Sequence, residues 1–312
     1  MEQILKEEKT SFWVKAEQVD RRVIYLLIAL ALALPLLLGL RLPPARMAAA
    51  EAFYQTIDAL PTDDGKLVLL SFDFGPGTSA ENAPQAKVTV EHLMRKRIPF
   101  ALVSLYTQAV PILRELPLIV AKDLAAENPG QKWEYGKDWI NLGYKPQPSI
   151  FLQGFSGAKD LHAYLRADAE GTPLKDLPLF STVHTIRDIK LIAEFTGLVG
   201  VFSSWIQYFQ ADGYTPKFLH GCTSITIPEA YLYYSSKQIQ GFFEGIAGAA
   251  WYDKLLNKSF PNRKKEYGTE INSGLAFAQI AILVLIFLGN LGAYMVRREA
   301  ARKSTPVTEA EA

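Results

Sequence analysis

The sequence predicts an α/β protein: a mostly parallel sheet with helices on both faces, flanked by an N-terminal and a C-terminal transmembrane helix. Three observations predict it. An uninterrupted apolar run lies near each end, compact apolar segments alternate with amphipathic ones between them, and the whole has a globular composition, 49% hydrophobic and 21% charged over 312 residues. Chain order gives the divisions 1–22, a cytoplasmic segment; 23–42, the first span; 43–270, an extracytoplasmic α/β domain; 271–296, the second span; and 297–312, a cytoplasmic tail.

The first run, Val23 to Leu40, has eighteen residues and no charge; the second, Leu275 to Val296, has twenty-two, with Gln279 and Asn290 its strongly polar members. At about 1.5 Å of rise per residue, both can cross a hydrocarbon layer about 30 Å thick. Pro35 is expected to kink the first, which membrane helices tolerate. Met47-Ala48-Ala49-Ala50 looks cleavable, yet the apolar run exceeds the h-region of a signal peptide, so an uncleaved signal anchor is expected. Orientation follows from basic residues near the span ends. Lys6, Lys9, Lys15, Arg21, Arg22, Arg297, Arg298, Arg302 and Lys303 lie outside the central domain. Arg41, Arg46, Lys258, Arg263, Lys264 and Lys265 lie on its side, so both termini are expected in the cytoplasm.

Between the spans, Leu67 to Asp73 follows the turn signal Asp63-Asp64-Gly65 and reads as a buried strand. Ala83 to Arg97 is amphipathic and reads as a helix; Phe100 to Leu105 is a second strand. Pro111 to Glu127 is a helix opened by proline and stopped by Asn128-Pro129-Gly130, and Trp139 to Leu142 is a third strand. The proline-rich stretch Tyr144 to Thr185 carries one helix, Ala158 to Ala167. Strands at Ile189–Phe195, Phe218–Cys222 and Ile239–Phe243 then alternate with helices at Ser203–Ala211, Pro228–Lys237 and Gly248–Leu256. Such alternation implies parallel strands and layering of the Rossmann or flavodoxin kind.

In open parallel sheets the ligand lies at the carboxyl ends of the strands. Those ends supply the binding candidates Asp73, Gly75, Gly77, Thr78, Tyr106, Tyr144, Glu194, Cys222, Thr223 and Glu244, which are expected to line one cleft. The turn Asp73-Phe-Gly-Pro-Gly-Thr78 reads as a tight βα turn without the dinucleotide fingerprint or a P-loop ending; Glu81, Asn82 and Pro84 are expected to delay the next helix. His220 and Cys222, two apart on one strand, face the same side, but no second histidine lies nearby. His92, His162, His184 and His220 are scattered without metal-ligand spacing, so neither a metal nor a cofactor is expected. The near balance of 33 basic and 32 acidic residues gives no reason to expect nucleic acid. One cysteine excludes an internal disulfide.

Late aromatics from Trp205 to Tyr252 read first as core packing and rings at the membrane interface, and alternatively as a surface that mates with a partner subunit; the small pair Gly289 and Ala293, with Asn290 beside them, favours close helix contact with the first span or a neighbour. The functional expectation is therefore non-enzymatic. It is an extracytoplasmic binding or scaffolding module in the lipid bilayer, a subunit of a larger membrane assembly or a homo-oligomer. The alternative is a membrane-tethered hydrolase built on Asp73, Glu194, Cys222 and Glu244.

Overall fold

A computed structural model describes residues 20–211 and 213–304; the expectations for residues 1–19 and 305–312 lie outside the described residues. Two compact units emerge: Pro43–Asn272, and the terminal segments.

In the terminal unit, α1 spans Arg21–Leu38 and ends on Gly39 at φ 65°. Glycine is suited to that left-handed position because it has no Cβ to clash. This helix and the stretch Tyr267–Arg298 of the last helix are both long and apolar enough to cross a membrane, their most apolar eighteen-residue windows having mean hydropathy 2.1 and 2.2. A Cβ on Gly274 would meet Leu36 Cγ at 3.2 Å, so the small residue at that contact is Gly274. Gly289 has nothing within 4 Å of its Cβ position, so no described part of the chain occupies that site.

The other unit opens with α2, Ala48–Asp58, which the sequence reading passed over. Then follow β1 (Leu67–Asp73), α3 (Ser79–Arg95), β2 (Phe100–Ser104), α4 (Val110–Glu127) and β3 (Trp139–Tyr144). The irregular stretch holds α5 (Pro148–Gly157) and α6 (Leu161–Leu165) in place of the expected helix at 158–167. The second half contains β4 (Ile189–Thr196), α7 (Val201–Tyr208), β5 (Lys217–Cys222), α8 (Ile227–Ser235), β6 (Gly241–Glu244), α9 (Gly245–Ser259) and the start of α10 (Tyr267–Ser304).

All six strands are parallel, in the order β3-β2-β1-β4-β5-β6. This is the doubly wound order in which the chain reverses direction across the sheet between β1 and β4, and a crevice is expected at that switch point. β1 and β4 are buried at every residue, as central strands covered on both faces must be. On one face, Phe53 of α2 lies 4.4 Å from Phe243 and Tyr252 of α9 lies 5.3 Å from it, ring centre to ring centre. On the other, Trp205 and Phe202 of α7 pack with α5 residues Leu152 and Phe155 over Leu67, Leu69 and Ile192.

The basic stretch after α9 is more than a linker. The Arg263 side chain is fully buried, gripping Glu91 of α3 at 2.7 Å through two nitrogens and Asp253 through a third contact. Asp253 Oδ2 also accepts from the backbone N–H groups of Gly268 and Thr269 at 2.6 and 2.8 Å. It thereby satisfies donors that the first turn of α10 leaves open.

Candidate functional site

Parallel registration fixes what meets at the carboxyl edge. Ser71 of β1 stands opposite Glu194 of β4, and Glu194 opposite His220 of β5; one step on, Asp73, Thr196, Cys222 and Glu244 stand in a row. Alternation along each strand puts both rows on the face that α7 covers.

Asp73 is completely buried and accepts four hydrogen bonds. Ser71 Oγ donates at 2.7 Å and Trp205 Nε1 at 3.0 Å to Oδ2, while Ser104 Oγ donates at 3.1 Å and Leu105 N at 2.5 Å to Oδ1. Burial raises its pKa against the pull of those donors. Glu194 and His220 form a second buried pair, Oε2 to Nδ1 at 2.7 Å, with Phe202 stacked on the imidazole at 3.8 Å. Burial first, then the charge of Asp73, pushes the Glu194 pKa well up, and burial lowers His220 to about 3. Both shifts favour a neutral acid facing a neutral imidazole. The other oxygen, Glu194 Oε1, is buried without a hydrogen-bond partner among the described residues.

Cys222 is buried, its Sγ donating to Phe243 O at 3.0 Å, and burial raises the thiol to about 12. A thiol held in that state is a poor nucleophile. Glu244 accepts from the N–H groups of Ala49 and Ala50 at 3.3 and 3.1 Å, so it caps α2. Burial is the largest influence on its carboxyl and raises the pKa.

The expected cleft is therefore closed over much of its length. At the switch point, a Cβ on Gly197 would meet Thr78 Cγ2 at 2.5 Å and Thr223 Cγ2 at 2.8 Å, so the loops after β1, β4 and β5 are in mutual contact. The loop after β1 departs from the sequence reading: α3 starts at Ser79, with Pro84 inside it, and Gly75, Gly77 and Ala80 fall on the glycine/alanine spacing of the dinucleotide fingerprint. A dinucleotide needs open space there and, after β2, an acid for the ribose of NAD or a basic residue for the 2′-phosphate of NADP. Instead Tyr106 and Gln108 side chains lie 2.9 Å from the Cβ position of Gly75, and β2 runs into Ser104-Leu105-Tyr106. These residues do not fit that group.

Tyr144 stands apart from the buried cluster, lining a cavity of about 320 Å³ at the end of edge strand β3 with Asn141, Arg114 and Lys145. Lys145, partly buried and lowered in pKa by burial, was not among the expected site residues. The larger cavities open at the opposite, amino end of the strands, around Lys217. Among the described residues, no group of three or more His, Cys, Asp or Glu could hold a metal ion. His162 is a structural residue, its Nε2 bonding to Phe180 O at 2.9 Å. Comparison with protein-family models, curated proteins and solved structures finds no match.

Proposed function

We propose that the chain is a non-enzymatic, membrane-anchored binding or scaffolding module, a component of a larger membrane assembly. The observation that carries this reading is the state of the strand-end acids. Asp73 is saturated by four internal donors, Glu194 is locked against His220, and Glu244 caps a helix. A general acid or base must reach the proton that it transfers, and a nucleophile must reach its target. None of these groups is more than 8% exposed. The basic residues around the spans favour cytoplasmic termini and an extracytoplasmic domain.

The test uses one isosteric change and one that removes the thiol at the cost of a small cavity. Glu194→Gln and Cys222→Ala, each in the full chain, are expected to complement a deletion as well as the wild type does. An enzyme using this cluster would lose orders of magnitude in rate on neutralisation of its acid, so loss of function in folded Glu194→Gln protein would return the hydrolase reading.

A further inference from the structure

The doubly wound order directs attention to the carboxyl edge, yet larger cavities lie at the amino edge. A cavity of about 670 Å³ is bounded there by the end of α7, the start of β5 and the end of α8. Its apolar side includes Phe209 and Phe218, and its polar side includes Lys217, Lys237, Gln207 and Gln240. Two further clefts adjoin it: one shares Gln207 and Gln210, the other shares Lys217, Lys237 and Gln240. Among the described residues, none of the three is lined by an aspartate or glutamate.

The donors are available. Neither Lys217 nor Lys237 is ion-paired among the described residues. Gln240 Oε1 accepts from Phe218 N at 2.5 Å, which pins the amide and leaves its Nε2 as a donor.

Lys237 also sits in a strained position. It follows α8 at φ 61°, with Lys237 N bonding to Tyr234 O and Gln238 N to Tyr233 O, both at 3.0 Å. This is the helix-ending turn in which glycine is the favoured residue, because a left-handed conformation costs a side chain more. Strain kept at a cavity wall is a reason to ask what the side chain does there.

The geometry points to an organic-anion site in this cavity: a small molecule with a flat or apolar body lies against Phe209 and Phe218, and its carboxylate or phosphate is met by Lys217 and Lys237. The volume is in the range of small-molecule sites, and a few placed polar groups over an apolar floor is their usual composition. The site gives the proposed binding module its ligand class and rests on that reading.

Phenyl phosphate is the probe, benzamide its uncharged counterpart, and the full chain in uncharged detergent the target. Binding is read by isothermal titration to the wild type, Lys217→Gln and Lys237→Gly. Phenyl phosphate is expected to bind the wild type and to lose at least tenfold in affinity in each variant, while benzamide binds more weakly and equally to all three. Lys237→Gly is expected to melt no lower than the wild type, since glycine suits the turn. No binding to the wild type, unchanged affinity in both variants, benzamide matching phenyl phosphate, or a lowered melting point in Lys237→Gly would each overturn the site. Failure of Glu194→Gln to complement would sink the binding-module reading without altering this titration, so the two failures are distinguishable.

Discussion

The indole Nε1 of Trp205 donates to Oδ2 of Asp73 at 3.0 Å, joining α7 to the end of β1 across 132 positions of sequence. That bond closes the side of the sheet on which a ligand crevice would otherwise open. With the ring and the carboxyl both fully buried, neither finds water as a substitute partner. Trp205→Phe keeps an aromatic ring in place but removes the donor. It is expected to destabilise the domain by about 1–3 kcal/mol, the cost of leaving a buried acceptor short of a partner. For a domain of this size that corresponds to a fall in Tm of roughly 2–4 °C per kcal/mol, readable by thermal melting of the full chain.

The Glu194–His220 pair predicts the shape of the stability profile against pH. Glu194 is raised above its ordinary value, so its contribution is complete below about 4.5 and is lost as pH rises through the folded value. His220 is lowered to about 3, so its contribution is complete above 6.5 and is lost as pH falls towards 3. His92, buried and lowered likewise to about 3, adds to the acid side. Asp73, raised by burial, adds to the alkaline side. Melting temperature is therefore expected to fall on both sides of a mildly acidic maximum. Glu194→Gln removes one group from the alkaline side and is expected to flatten that limb while leaving the acid limb in place. An unchanged alkaline limb would contradict the assignment.

The capping role of Glu244 has its own signature. Its carboxylate takes the first-turn amides of α2, whose Ala49 and Ala50 are buried and lack water to turn to. Loss of a cap of this kind costs about 1 kcal/mol. Glu244→Ala is expected to cost that or somewhat more, and to speed hydrogen exchange at residues 48–53 before the rest of the domain is affected. Uniform acceleration throughout the domain would point to a general loss of packing instead.

The strand pattern was legible because central parallel strands are buried on both faces and so read as continuous apolar runs: Leu67-Val68-Leu69-Leu70 and Leu191-Ile192-Ala193 stand out without any alternation. Helix α2 was not legible. Its stripe, Ala49, Ala50, Phe53, Tyr54 and Ile57, has helical spacing but opens on three small alanines beside the first span, and tertiary contacts complete it: Phe53 against Phe243, and Glu244 capping from 194 residues away. The site was half legible. Strand ends placed Asp73, Glu194, Cys222 and Glu244 in neighbouring rows, but no local pattern announced that Trp205 and Phe202 would seal them. The amino-edge cavity carried no motif at all. Lys237, the last residue of the helix expected at Pro228–Lys237, becomes notable only through its backbone angle.

Close approach at β6 supplies a packing prediction. A Cβ at Gly241 would overlap the backbone of α2, lying 2.7 Å from Phe53 Cα. Backbone cannot rotate aside as a side chain can, so Gly241→Ala must push α2 off the sheet. Overpacking of this kind costs about 1–3 kcal/mol, and the Tm of Gly241→Ala is expected to fall accordingly. The exposed Gly77, with nothing within 4 Å of its Cβ position, is the control: Gly77→Ala is expected to leave the melting curve where it is.

Topology can be decided with a single label, because the native cysteine is silent. Cys222 is fully buried, with its thiol engaged and raised to about 12, so a membrane-impermeant maleimide has no reactive thiolate to find in the folded wild type. A cysteine at Asp63, exposed in the turn before β1, reports the side on which the domain lies, and one at Thr308 reports the side of the tail. With cytoplasmic termini, intact cells are expected to label Asp63→Cys and to leave Thr308→Cys unlabelled until the membrane is permeabilised. Labelling of Thr308→Cys alone would invert the orientation. Labelling of both in intact cells would mean that the second apolar helix does not cross, since tail and domain would then share a side of the membrane.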